Sequence, residues 1–123
     1  MNAGRARQWV RLVASFSLVA MGVAFGASFP TGNYNAGEVT LSFDSGGKYR
    51  VLQSTKVMIE GTYKTEGDKL VLTDLSGPYA CPADQKTGTY AWRVESNALT
   101  LTKVDDACDD RSADLTGHPW GKK

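Results

Sequence analysis

The chain reads as an all-β protein: an antiparallel up-and-down meander of seven or eight strands closing into a small barrel. Three observations predict this. Apolar and polar residues alternate with a period of two along most of the chain, the mark of half-buried strands. A Gly-x-Tyr triplet recurs at GNY 32–34, GKY 47–49, GTY 61–63 and GTY 88–90, at spacings of 15, 14 and 27 residues. The last spacing is close to two units, and the repetition is of a hairpin rather than of a domain. Third, nothing after residue 27 shows sustained helical periodicity. Closure into a barrel would remove the exposed edges of such a meander. A two-sheet sandwich built from the same hairpins is the competing architecture.

Residues 1–26 come first. MNAGRARQWVR carries Arg5, Arg7 and Arg11 and no acid, and the run Leu12–Pro30 carries no charge. A basic start, an apolar middle and small residues (Ala24, Gly26) before a cleavage point make a secretory signal peptide, a helix removed after Gly26. An uncleaved membrane anchor is the competing reading, but Ser15, Ser17, Gly22, Gly26 and Ser28 dilute the run. Residues 27–123 then form a single domain. It keeps eleven of the fourteen basic residues and all thirteen acids, a net charge of −2. Such a chain has no basic stripe for nucleic acid and no cationic face for an anionic membrane.

The strands follow in order. Val39, Leu41 and Phe43 share one face. Tyr49 and Val51 come next, then Val57, Ile59 and Tyr63, then Leu70 and Leu72. Tyr90, Trp92 and Val94 precede Leu99 and Leu101. Between them stand Ser45-Gly46-Gly47, Glu66-Gly67-Asp68 and Ser96-Asn97, which carry turn chemistry. GTYKTEGDKLVLT (61–73) aligns with GTYAWRVESNALTLT (88–102), so one hairpin is repeated. The segment 75–87, LSGPYACPADQKT, breaks the rhythm, because Pro78 and Pro82 forbid a central strand; it reads as an ordered loop. The tail offers a short strand over 113–116, then Trp120 as a plug, with 121–123 frayed.

The cysteines are Cys81 and Cys108. Two cysteines in an exported domain pair with each other, and their loop would constrain the unfolded chain by roughly 3–4 kcal/mol. Cys108 sits in VDDACDDR, among Asp105, Asp106, Asp109 and Asp110. A structural zinc site wants four Cys or His ligands, and only His118 is available beyond the pair. A calcium loop wants acids at alternate positions and then glycine. The stretch therefore reads as a solvated acidic collar beside a disulfide, with Arg111 pairing one of the acids. No metal and no cofactor are expected.

Catalysis is not expected either. His118 is the single histidine, and it lies in the tail. No nucleophile elbow is present, and the paired acids are confined to the collar.

The run GTYAWRVESNALTLTKVDDACDDR resembles small exported bacterial domains that are themselves similar to lipocalins and the wider calycin group of β-barrels. The shared features are Gly88, Tyr90 and Trp92, then Leu99 and Leu101, then Asp106, Cys108 and Arg111. The resemblance spans residues 32–116. Lipocalins proper carry Gly-x-Trp on their first strand, where this chain has Gly32-Asn33-Tyr34, and they are longer, with a terminal helix.

Two non-enzymatic classes follow. One is a monomeric carrier for a small apolar ligand, held by inward-facing Phe43, Tyr49, Tyr63, Tyr90 and Trp92. Buried phenols need hydrogen-bond partners, and a ligand or trapped water would serve. The same rings could instead fill the barrel outright. The other class is a protein-binding module, such as an inhibitor of an exported protease using SFPTGN as an extended arm, or a structural envelope domain.

Overall fold

A computed structural model describes residues 28–123; the signal-peptide reading falls outside them. The strands are β1 (Gly32–Ala36), β2 (Val39–Phe43), β3 (Lys48–Gln53), β4 (Lys56–Glu66), β5 (Lys69–Ser76), β6 (Thr87–Glu95), β7 (Ala98–Asp105) and β8 (Trp120–Lys122). One helix, α1 (Asp109–Thr116), lies between β7 and β8. All pairings are antiparallel between sequence neighbours, and β8 pairs with both β7 and β1, closing an eight-stranded barrel. The meander is confirmed and the sandwich is not.

The turns explain the register. Two-residue turns join β1 to β2 at Gly37-Glu38, β3 to β4 at Ser54-Thr55, β4 to β5 at Gly67-Asp68 and β6 to β7 at Ser96-Asn97. Ser96 and Asn97 both have positive φ, 52° and 65°, the backbone a primed hairpin turn demands. Between β2 and β3, the Asp44 carboxylate accepts the N–H groups of Gly46 and Lys48, both at 2.9 Å.

Register shifts interrupt β3–β4, β4–β5 and β6–β7. Bulges of this kind increase local coiling, which a small closed barrel needs. The first shift adds Met58 to the core as a residue that simple alternation does not predict. At the second, a Cβ on Gly61 would lie 1.8 Å from the carbonyl oxygen of Thr73, so the strands can close there only around glycine.

The tail differs from expectation. Residues 113–116 are helical where a short strand was expected, and Trp120–Lys122 form the closing strand, so Gly121 and Lys122 are paired where fraying was expected. The helix buries Arg111, Ser112 and Leu115, spaced i, i+1, i+4 on one side, and places Asp109 and Asp110 in its first turn, where acids suit the helix dipole. Eight residues are too few for that spacing to stand out from a strand in sequence. Leu115 supplies the carbonyl that accepts the Trp120 indole N–H at 3.0 Å. Trp120 is thus buried against the barrel, as expected, and anchored by the helix before it.

Candidate functional site

The barrel interior has two unlike ends. The turns Asp44–Gly47, Gly67-Asp68 and Ser96-Asn97 surround the first. Here Phe29 folds back over the mouth and is buried. Its ring lies 4.9 Å from Phe43, 5.6 Å from Tyr63 and 5.2 Å from Trp92, mostly edge-on, an arrangement aromatic quadrupoles favour. Tyr63 donates its hydroxyl to the Asp44 carbonyl, and Trp92 donates its indole N–H to the Gly67 carbonyl at 3.3 Å. Phe43, Tyr63 and Trp92 therefore make a closed aromatic stopper. Phe29 is its fourth member, missed in sequence because it lies before the first strand.

The second end is open. The Gly37-Glu38 and Ser54-Thr55 turns, the 77–86 loop and α1 surround a cavity of about 620 Å³. Ala36, Val39, Leu41, Val51, Met58, Ile59, Leu115 and Trp120 give it apolar walls, and Tyr49 lies on its floor. The rim carries Gln53, Tyr79, Asp110, Asp114 and His118. Tyr49 is thus the single member of the expected ligand set that meets this cavity; the stopper takes three, and Tyr90 does other work.

That work lies between the cavity and the disulfide. Asp74 at the end of β5 and Asp106 after β7 both project inward, and Arg111 reaches between them from α1. Their side chains are 0%, 0% and 2% exposed. Arg111 Nε donates to Asp106 Oδ2 at 2.8 Å, and one terminal nitrogen donates to Asp106 Oδ1 at 2.7 Å. The same terminal nitrogen reaches the Gln85 carbonyl at 3.0 Å, and the other reaches the Lys86 carbonyl at 2.8 Å and lies 3.1 Å from Asp74 Oδ1. A guanidinium has five N–H donors; four are hydrogen-bonded here, and Asp74 stands beside the group as an ion pair.

The acids are satisfied in parallel ways. Asp74 accepts the Tyr49 hydroxyl at 2.5 Å and the Cys81 N–H at 2.9 Å. Asp106 accepts the Tyr90 hydroxyl and, at 2.9 Å, the Cys108 N–H. Each aspartate thus holds one phenol, one half-cystine amide and a share of the arginine. Gly88 makes room for this, because a Cβ there would lie 2.5 Å from Asp106 Oδ2.

Two expectations are corrected here. The collar does not point wholly to water: Asp106 is 4% exposed, while Asp105, Asp109 and Asp110 are exposed. Nor do the buried phenols lack protein partners: Tyr49 and Tyr90 each donate to a carboxylate, and Tyr34 donates to the Pro30 carbonyl. The pairing of Arg111 with a collar acid is confirmed, although inside the protein. So is the Cys81–Cys108 disulfide, with a Cα–Cα distance of 6.2 Å, which joins the 77–86 loop to the start of α1. His118 is exposed, as expected, and its ring lies 4.7 Å from that of Trp120.

Burial raises the Tyr49 and Tyr90 phenols above their ordinary range, and the adjoining carboxylates add to the effect. Burial also disfavours the charged form of Asp106, but the bonds from Arg111, Tyr90 and Cys108 outweigh it and hold the acid below its usual range. For Arg111, burial is outweighed by Asp106 and Asp74, and the guanidinium is held more firmly protonated than in water. A raised phenol stabilises the fold fully below the unfolded value, about pH 10, and that stability is lost as pH climbs towards the folded value. A depressed acid stabilises above about pH 4, and that stability is lost as pH falls through the folded value. Melting temperature should therefore hold steady at neutral pH and fall above about pH 10. A pH series of thermal melts on wild type, Tyr49→Phe and Tyr90→Phe checks this. Each substitution should flatten the alkaline fall; a wild-type slope left unchanged in both would remove the phenols as its source.

Compared with protein-family models, with curated proteins and with solved structures, the chain gives no match.

Proposed function

We propose that this protein is an exported, non-enzymatic β-barrel of the lipocalin-like, calycin kind that carries one small, mostly apolar molecule. The observation that carries the reading is the apolar cavity at the α1 end, whose volume of about 620 Å³ is that of a small-molecule site. The barrel is filled at one end and hollow at the other, so a guest would enter beside α1. Export is supported by the disulfide, which is compatible with an extracellular or periplasmic location. A non-enzymatic role is supported by the saturation of the buried acids and by the exposure of His118. The inhibitor alternative gains nothing from the N-terminal segment, whose Phe29 is docked in the barrel and not presented as an arm.

Trp120 lines the cavity while Trp92 lies in the opposite stopper, so Trp92→Phe in the chain from residue 27, which lacks Trp9, isolates the useful reporter. Titrating that variant with medium-chain alcohols, a retinoid and small aromatics should give a saturable change in Trp120 emission. Ala113→Phe, on the exposed part of the cavity wall, should weaken binding by tenfold or more, about 1.4 kcal/mol, without lowering the melting temperature. A flat response across the panel would end the carrier reading.

A further inference from the structure

We infer that the cavity takes a cationic amphiphile, an apolar body carrying an amine or quaternary ammonium head, and discriminates against carboxylates of the same size. The inference rests on the carrier reading above and adds the charge of the guest.

An arginine on a cavity wall is ordinarily the group that would bind a fatty acid, two N–H bonds to one carboxylate. Arg111 lines this cavity, but its charge is already matched by two buried carboxylates. Four of its five N–H groups are bonded to Asp106 and the carbonyls of Gln85 and Lys86, and Asp74 already sits against it as an ion-pair partner. An incoming carboxylate would have to displace an internal partner that is already in place and already desolvated. The Tyr49 hydroxyl on the floor is likewise committed, to Asp74. The deep part of the cavity therefore offers an anion no unmatched charge from these groups.

The rim has the opposite character. Asp110 and Asp114 stand one turn apart on α1, are exposed, and line the opening. Among the described residues that line the cavity, the two exposed carboxylates have no lysine beside them, and the Arg111 guanidinium is matched by the buried Asp74 and Asp106 behind it. Low-dielectric walls focus such a field into a cleft, so the opening attracts cations and repels anions. Tyr79, on the 77–80 segment of the rim, is 68% exposed and presents a ring on which an ammonium could rest. A cationic head at the rim with its chain among Val39, Leu41, Val51 and Ile59 satisfies both halves of the site.

The test compares three guests of one chain length below their micellar concentrations: dodecyltrimethylammonium, dodecanol and dodecanoate. Trp120 emission of the Trp92→Phe protein reads binding, and a melting curve confirms that the fold survives each guest. The ammonium should bind at least about tenfold tighter than the carboxylate, about 1.4 kcal/mol, with the alcohol between them. Raising the salt to about 1 M, where screening acts within about 3 Å, should narrow that gap. Asp110→Asn with Asp114→Asn should bring the ammonium down to the alcohol's affinity and leave the melting temperature close to wild type. Dodecanoate binding as tightly as the ammonium would overturn the inference while leaving the carrier reading intact. An ammonium preference unmoved by the double substitution would overturn the rim's role. Failure of all three guests, the alcohol included, would overturn the carrier reading itself.

Discussion

Arg111→Met should destabilise the protein by about 3–5 kcal/mol, the cost of breaking a buried ion pair by removing one partner. Methionine restores the side chain's length but none of its five donors. Asp74 and Asp106, both with fully buried carboxylates, would then lie in one pocket without a counter-charge. The Gln85 and Lys86 carbonyls would lose their donor as well. Arg111→Lys should recover little, because an ammonium cannot span both acids and two carbonyls in the fork geometry used here. Urea unfolding at neutral pH measures the loss as a fall in midpoint at constant m. Acidification neutralises carboxylates, so it should restore part of the variant's stability while wild type gains none. A loss below about 1 kcal/mol would mean that the acids are not dependent on the arginine.

The second large effect belongs to the disulfide. Cys81→Ser with Cys108→Ser should cost roughly 3–4 kcal/mol, on the chain entropy of the 27-residue separation it closes. The bridge does not stand alone. Asp74 and Asp106 hold the two half-cystine amides, and Arg111 holds the loop at Gln85 and Lys86. Disulfide and ion pair thus fasten the same two pieces, the 77–86 loop and α1, to the same end of the barrel. Their losses should therefore not add, and a double-mutant cycle between Arg111→Met and the cysteine pair should show a coupling above about 0.5 kcal/mol. Hydrogen exchange should rise first in the loop and α1, while the β2–β5 amides stay protected. Asp109→Ala, an exposed neighbour in the collar, is the control and should stay within about 0.5 kcal/mol of wild type. Additive losses, or uniform exchange throughout the barrel, would count against a shared fastening.

Much of this fold was legible in the chain. Period-two alternation placed Leu41 and Phe43, Leu70 and Leu72, and Leu99 and Leu101 on inward faces, and all six are buried. Gly67 and Asn97 marked the hairpins that bring those strands together. Cys81 and Cys108, the only cysteines, had one way to pair. These features are local or exhaustively countable, so consecutive residues are enough to read them. The Asp106, Cys108 and Arg111 pattern was also visible, although its burial was not.

What the tertiary structure alone decided is where charge and space lie. Asp106 looked hydrated because three acids adjoin it in sequence, yet the path of the chain after β7 turns it inward while Asp105 and Asp109 turn out. Its second acid, Asp74, ends a strand remote from it in sequence and carried no signal at all. Phe29 stops one mouth because the segment before β1 folds back, and β8 closes the barrel because α1 delivers Trp120 beside Leu99. The division of the interior into an aromatic stopper and an apolar cavity follows from these placements. Sequence alternation says which side of a strand faces inward. It does not say how far a ring reaches across the barrel or which distant group meets it there, because that depends on closure, stagger and the paths of the connecting segments.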